Sequence, residues 1–145
     1  MAYDIPGFKF SLPAIAALAT DLAADNARKF RFLEVDSNGT VDYAVAGDHD
    51  TNLAVVGVLY NDPIVANAPA EIVHSGIARV EAGTGGVTAG QRVTSVDSTT
   101  SAGRAVDVTA GGDNQVALGL ALETASSGEI FACLLIPGGD RNALS

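Results

Sequence analysis

Tryptophan is absent from this 145-residue chain, cysteine occurs once, and cations are scarce, with 8 Lys and Arg against 17 Asp and Glu for a formal net charge of −9. A single cysteine cannot close an intramolecular disulfide, which excludes a disulfide-stapled scaffold. None is needed, because a compact chain of about 150 residues buries roughly 68–70% of its unfolded surface. Cys133 lies in the apolar run Ile130 to Ile136 with no cation beside it to hold a thiolate, and reads as a small buried hydrophobe. The shortage of Lys and Arg argues against nucleic acid or an anionic membrane as a partner, since both require concentrated positive charge. Only Arg28, Lys29 and Arg31 cluster, and with Asp25 and Glu34 near them they are expected at the solvated start of a strand. No stretch approaches the ~18 uncharged apolar residues of a membrane span. The N-terminus, with Asp4 and no leading basic cluster, lacks signal-peptide order, so a soluble chain made in a cytoplasm is expected.

Catalytic and metal signatures are equally thin. Gly83-Thr84-Gly85-Gly86 lacks the Lys-Ser/Thr pair and following helix of a phosphate loop, and is expected to link strands. Asp48-His49-Asp50, even with the distant His74, offers no second close ligand pair for a metal. Asp36-x-Asn38 resembles the opening of a calcium loop, but its twelfth position is Gly47, so it is a turn. There is no Gly-x-Ser-x-Gly elbow, and with two histidines and mostly isolated carboxylates, general acid–base chemistry has few players. Glu123 and Glu129 flank the turn Thr124 to Gly128 and read as solvated strand ends. No enzyme activity and no cofactor are expected.

What is present is Ala, Gly, Val and Thr in the rhythm of short antiparallel strands. From Phe30 onward, turn signals recur roughly every eight to twelve residues. Phe30 to Val35 and Thr40 to Val45 flank Asp36-Ser37-Asn38-Gly39, a hairpin signal, and the second strand alternates Val41, Tyr43, Val45 against Thr40, Asp42, Ala44. Leu53 to Leu59, Val116 to Leu122 and Ile130 to Ile136 are continuous apolar runs, as in strands covered on both faces by a barrel, a sandwich or a subunit interface. Ile15, Leu18, Ala19 and Leu22 place the only helix at Ala14 to Ala27, with Pro13 in its first turn. Tyr3, Ile5, Phe8 and Phe10, with Pro6 and Gly7 between them, make an apolar N-terminal arm that is neither helix nor clear strand, and these four are the candidate protein-interface residues.

The chain also repeats itself. Val35-Asp36-Ser37, Gly39, Ala46-Gly47-Asp48, a strand centred on Gly57 and Glu71-Ile72 recur in the same order as Val96-Asp97-Ser98, Gly103, Ala110-Gly111-Gly112-Asp113, a strand centred on Gly119 and Glu129-Ile130. The expected fold is mainly β, a small antiparallel barrel or sandwich from two duplicated halves of about four strands. Residues 1–29 are expected as arm and short helix, 30–139 as the β domain, and 140–145 as a tail.

Further motifs stand out in fixed order. They are Phe30-Arg31-Phe32-Leu33, Gly39-Thr40-Val41, Val56 to Pro63, Gly76 to Gly83, Val87 to Val93, Ala117 to Ala125, Gly128-Glu129 and Leu134 to Gly139. Over residues 20–139 this pattern resembles the capsid cement or head-decoration proteins of tailed bacteriophages, although the arm from Tyr3 to Phe10 is longer than the starts typical of that family. The resemblance implies a β-rich, commonly trimeric protein on the outer surface of the virion's capsid, clamping neighbouring major capsid proteins. The alternative from another class is a soluble carbohydrate-binding or adhesion module, for which Tyr3, Tyr43 and Tyr60 would have to serve as the sugar platform.

Overall fold

The computed structural model describes residues 3–19, 29–44, 54–95, 102–108 and 116–140. Eleven strands are present among them: β1 (Ile5–Pro6), β2 (Lys9–Pro13), β3 (Phe32–Val35), β4 (Val41–Tyr43), β5 (Val55–Leu59), β6 (Pro69–Val73), β7 (Gly76–Glu81), β8 (Arg92–Ser95), β9 (Ala105–Asp107), β10 (Ala117–Ala121) and β11 (Ile130–Asp140). They form a five-stranded sheet in the order β2-β6-β5-β3-β4 and a six-stranded sheet in the order β1-β7-β11-β10-β8-β9. The sheets pack as a sandwich. Phe32, Val58 and Val73 on the outer face of the five-stranded sheet join Ala78, Val80, Val93, Phe131, Cys133 and Leu135 of the six-stranded sheet in one buried cluster. A second cluster, on the other face of the five-stranded sheet, gathers Leu33, Val41, Tyr43, Leu59, Ala70 and Ile72 with Ala14, Leu18 and Ala102.

The expected duplication is present in the backbone. Without β1, the second sheet has the order β7-β11-β10-β8-β9, so β2 through β6 match β7 through β11 strand for strand. The register repeats too: Leu33 faces Gly57 as Val93 faces Gly119, and Leu59 faces Ile72 as Ala121 faces Cys133. Each sheet is pinned at its ends by one parallel bridge, Ala14–Val41 in the first and Ala82–Ala105 in the second, without closing into a full barrel. Hydrogen bonds outside the ladders recur in pairs. Ile15 N–H donates to the Val41 carbonyl (3.0 Å) as Gly83 N–H does to Ala105 (2.7 Å), and Asn67 donates to Ala14 as Gly128 does to Ala82, both at 2.8 Å. Even a side-chain cap repeats, since Asn61 Oδ1 accepts from Glu71 N–H and Glu123 Oε2 accepts from Ala132 N–H.

This register corrects one of the sequence matches. Glu71 is equivalent to Ala132, not to Glu129, because Glu129 stands where Ala68 stands, three residues earlier on its strand. The matches at Gly39/Gly103 and Gly57/Gly119 hold, whereas Ala46–Asp48, Val96–Ser98 and Ala110–Asp113 lie outside the described residues. The repeat also explains two unusual backbones. Phe30 and Asn67 are the non-glycine residues with positive φ among those described, at 70° and 65°, and their counterparts are Gly90 and Gly128 at 85°.

The hairpin at Asp36–Gly39 is as expected, with Asp36 Oδ1 accepting from Asn38 N–H (2.8 Å) and Thr40 N–H (3.0 Å). Gly83–Gly86 forms a turn between strands, as read from the sequence. The expected arm is different: its residues are integral edge strands, with β1 pairing β7 and β2 pairing β6. Proline is tolerated on an edge, where no N–H is owed to a ladder, so Pro6 and Pro13 do not prevent this. Gly7 donates to the Ser75 carbonyl (2.9 Å) where the chain crosses from one sheet to the other. The helix expected over Ala14 to Ala27 is seen as helical turn at 16–19, and 20–28 lie outside the described residues.

Candidate interaction surfaces

The four candidate residues are divided between two surfaces. Ile5 faces Ile77, Ile77 faces Leu134, Leu134 faces Leu120 and Leu120 faces Arg92, which sets Ile5, Ile77, Leu134 and Leu120 in one row across the six-stranded sheet. That row lies on the outer face: Ile5 is 64% exposed and Leu134 42%. Tyr3, just before β1, and Ile130, further along β11, are also exposed. Residues facing across a ladder share a side of the sheet, so the apolar run Ile130 to Ile136 is covered fully on its inner face and only in part on its outer one. Its inner residues Phe131, Cys133 and Leu135 are buried; on the outer side the small Ala132 is buried as well, while Ile130 and Leu134 are exposed. The expectation of two covered faces holds better for β5, where Val58 and Leu59 are both fully buried.

Phe8 and Phe10 build the other surface. Their rings stack with centroids 5.9 Å apart, and His74 meets both edge-on at 6.2 and 6.0 Å. With Val55, Val56 and Gly138 they line an open groove of about 400 Å³ on the end of the first repeat. His74 is held by its Nδ1–H donating to the Val56 carbonyl (2.9 Å), and its backbone N–H donates to Phe8 (2.8 Å). The sequence offered no signal for His74 here, because the groove joins β2, β5, the end of β6 and the tail of β11.

The charged residues are arranged for cohesion. Arg31, expected at a solvated strand start, is buried: its Nε donates to Glu81 Oε2 (2.6 Å), and Arg104 Nη2 meets Glu81 Oε1 (2.8 Å). Arg31 also lies over the Tyr43 ring, 5.4 Å from its centroid. A guanidinium with a carboxylate in a dry site needs its hydrogen bonds met, and here Glu81 supplies both arginines and joins the two repeats. Of the two acids expected as solvated strand ends, Glu129 is exposed and accepts from Ser126 N–H, while Glu123, half-buried, is held below the usual carboxylate range by the hydrogen bond from Ala132 N–H. Cys133 is buried as expected, and burial pushes its thiol up to about 12. Tyr60, which accepts from Arg79 N–H at 2.7 Å, is likewise pushed up to about 12 by burial. Among the described residues, no group of three His, Cys, Asp or Glu is placed to hold a metal, and no helix is long and apolar enough to cross a membrane; Asp48–Asp50 lie outside those residues.

No protein-family model matches the chain, and no curated protein matches it. Among solved structures, the N base of the head fiber gp8.5 of bacteriophage phi29 is similar over 89% of this chain and 93% of that one, at 14% identity and a TM-score of 0.48.

Proposed function

We propose that this chain is a structural protein of a tailed-phage head, carried on the outside of the capsid as a decoration or cement subunit that bridges neighbouring major capsid proteins. The observation that carries this reading is the ordered set of framework motifs resembling the cement family. Most of those motifs fall on or beside strands: Phe30 to Leu33 leads into β3, Gly39 to Val41 into β4, Val56 to Pro63 starts on β5, Gly76 to Gly83 lies on β7, Val87 to Val93 leads into β8, Ala117 to Ala125 runs along β10 and beyond, and Leu134 to Gly139 lies on β11. They are the strands that build the sandwich, so the resemblance concerns the framework itself. The mechanism is interface burial repeated over a symmetric shell. A standard contact buries about 1,600 Å², and many weak copies gain by multivalency what one contact lacks. The exposed aliphatic row and the aromatic groove are the surfaces such contacts need. A homotrimer is part of the proposal, on the resemblance alone, and nucleic acid, membrane and cofactors are not. The carbohydrate-binding alternative draws no support from the tyrosines, because Tyr43 is buried, Tyr60 is half-buried and only Tyr3 is exposed.

The test is the protein composition of gradient-purified virus-like particles from the source. A stable, near-integral ratio of this chain to the most abundant shell protein is expected. Its absence from particles, with the protein free in the lysate, overturns the proposal.

A further inference from the structure

The two surfaces are related by the internal repeat. In the first repeat, Val73, Val58 and Phe32 form the outer row equivalent to Leu134, Leu120 and Arg92 in the second. That first row is buried, because the second repeat packs over it, with β5 against β7 and β11. The residues that Phe8, Phe10, Val56 and His74 correspond to are Gly76, Ala78, Leu118 and Leu135, and the last three belong to the cluster that covers Phe32, Val58 and Val73. Within one chain, then, the face of one repeat that corresponds to the groove covers the outer row of the other repeat. The same relation is left open at both ends, with an uncovered row on the second repeat and an unfilled groove on the first.

We infer that copies of this chain associate head to tail, the aliphatic row of one copy's six-stranded sheet seating in the Phe8–Phe10–His74 groove of the next. The partner is a second copy because only the internal packing, carried one step further, accounts for both surfaces at once. Phe8 and Phe10 stand where Gly76 and Ala78 stand in the covering repeat, so the rings raise the groove walls and the incoming leucines seat between them. Charge permits the contact despite a net −9. Asp4 pairs with Arg79 (3.4 Å) and Asp140 with Arg92 (2.7 Å), so the acids beside the row are neutralised before a second acidic copy arrives. The contact joins two different surfaces and closes into a ring if the rotation allows and otherwise runs on as a fibre. It does not depend on the capsid reading, which could fail while this stands.

The test uses the full chain in sedimentation equilibrium, with one charge placed on each surface. Phe8 is 60% exposed and Leu134 42%, so Phe8→Glu and Leu134→Glu should keep the β far-ultraviolet spectrum; Ile5→Glu, at a position 64% exposed, serves as the second row variant. The wild type should self-associate, and each variant alone should weaken this at least about tenfold, the cost of setting an unpaired charge against an apolar surface. Mixed, Phe8→Glu retains an intact row and Leu134→Glu an intact groove, so the mixture should form a one-to-one dimer that grows no further. A wild type that stays monomeric, a Phe8→Glu variant that associates as well as wild type, or a mixture of folded variants that forms no dimer overturns the inference.

Discussion

Gly119 sits in the middle of β10, facing Val93 on one side and Leu135 on the other, at a point where the neighbouring strand comes close. A Cβ added there would collide with Cys133 Sγ and come to 2.9 Å from the Leu134 carbonyl oxygen. Comfortable contact needs about 3.5–4.0 Å, so Gly119→Ala must displace either a fully buried sulfur or a ladder strand. Overpacking of this kind costs about 1–3 kcal/mol, a fall in Tm of roughly 2–4 °C per kcal/mol for a chain of this size. Cys133→Ala alone removes one buried heavy atom and should cost about 1 kcal/mol. In the double variant the new methyl occupies the space of the lost sulfur, so the two changes should compensate by about 1 kcal/mol or more, incompletely because the Leu134 carbonyl is still close. The equivalent Gly57 gives the control. There the added Cβ meets the Val73 carbonyl oxygen and φ is +152°, so Gly57→Ala should cost more and have no side-chain rescue. Urea unfolding followed by far-ultraviolet circular dichroism measures all four variants. Strict additivity of Gly119→Ala and Cys133→Ala would refute the packing argument.

Asn67→Gly should stabilise the chain by a few tenths to about 1 kcal/mol, as its φ of 65° and the glycine at the equivalent position 128 require; a loss of stability would show that the Asn67 side chain matters more than its backbone. Glu81→Ala leaves Arg31 buried without its carboxylate and should cost about 3–5 kcal/mol in urea melts, whereas Glu129→Ala, at an exposed turn, should change the midpoint little; equal effects would contradict the burial of the network. Asp36 is held below its ordinary value of 3.8, chiefly by the Thr40 hydroxyl, so its contribution is complete above that value and is lost as pH falls through the lower folded value. Asp36→Asn should therefore flatten the decline in urea midpoint below about pH 4, and an unchanged slope would sink the assignment.

Much of the framework was legible because strands announce themselves by period and by what breaks them. Val41, Asp42 and Tyr43 alternate as buried, half-buried and buried, and Asp36 with Gly39 turns the hairpin. The order of glycines revealed the duplication, since Gly57 and Gly119 are fixed by a neighbouring strand that leaves no room for a Cβ. The arm was not legible. Pro6 and Gly7 interrupt any period, and what makes Ile5 and Phe10 strand residues is the free edges of β7 and β6, some seventy and sixty positions away. Arg31 was misplaced for the same reason: in sequence it clusters with Arg28, Lys29 and Glu34, while Glu81 and Tyr43 reach it only through the fold.

The apolar runs left three explanations open, and the structure treats the strands that carry them differently. The two-sided run of β5 is satisfied inside the chain, because the second repeat lies on its outer face. The runs of β10 and β11 have the same two-sided character, yet Leu134 remains 42% exposed beside Leu120 and Ile77. The equivalent row of the first repeat, Phe32, Val58 and Val73, is covered by the second repeat, whereas Leu120 and Leu134 have no such cover within the described chain. Leu134→Glu distinguishes cover by a partner from incidental exposure. If it changes association and leaves the unfolding midpoint within about 0.5 kcal/mol of wild type, the row is kept for a partner; if it only lowers stability, the row belongs to the fold.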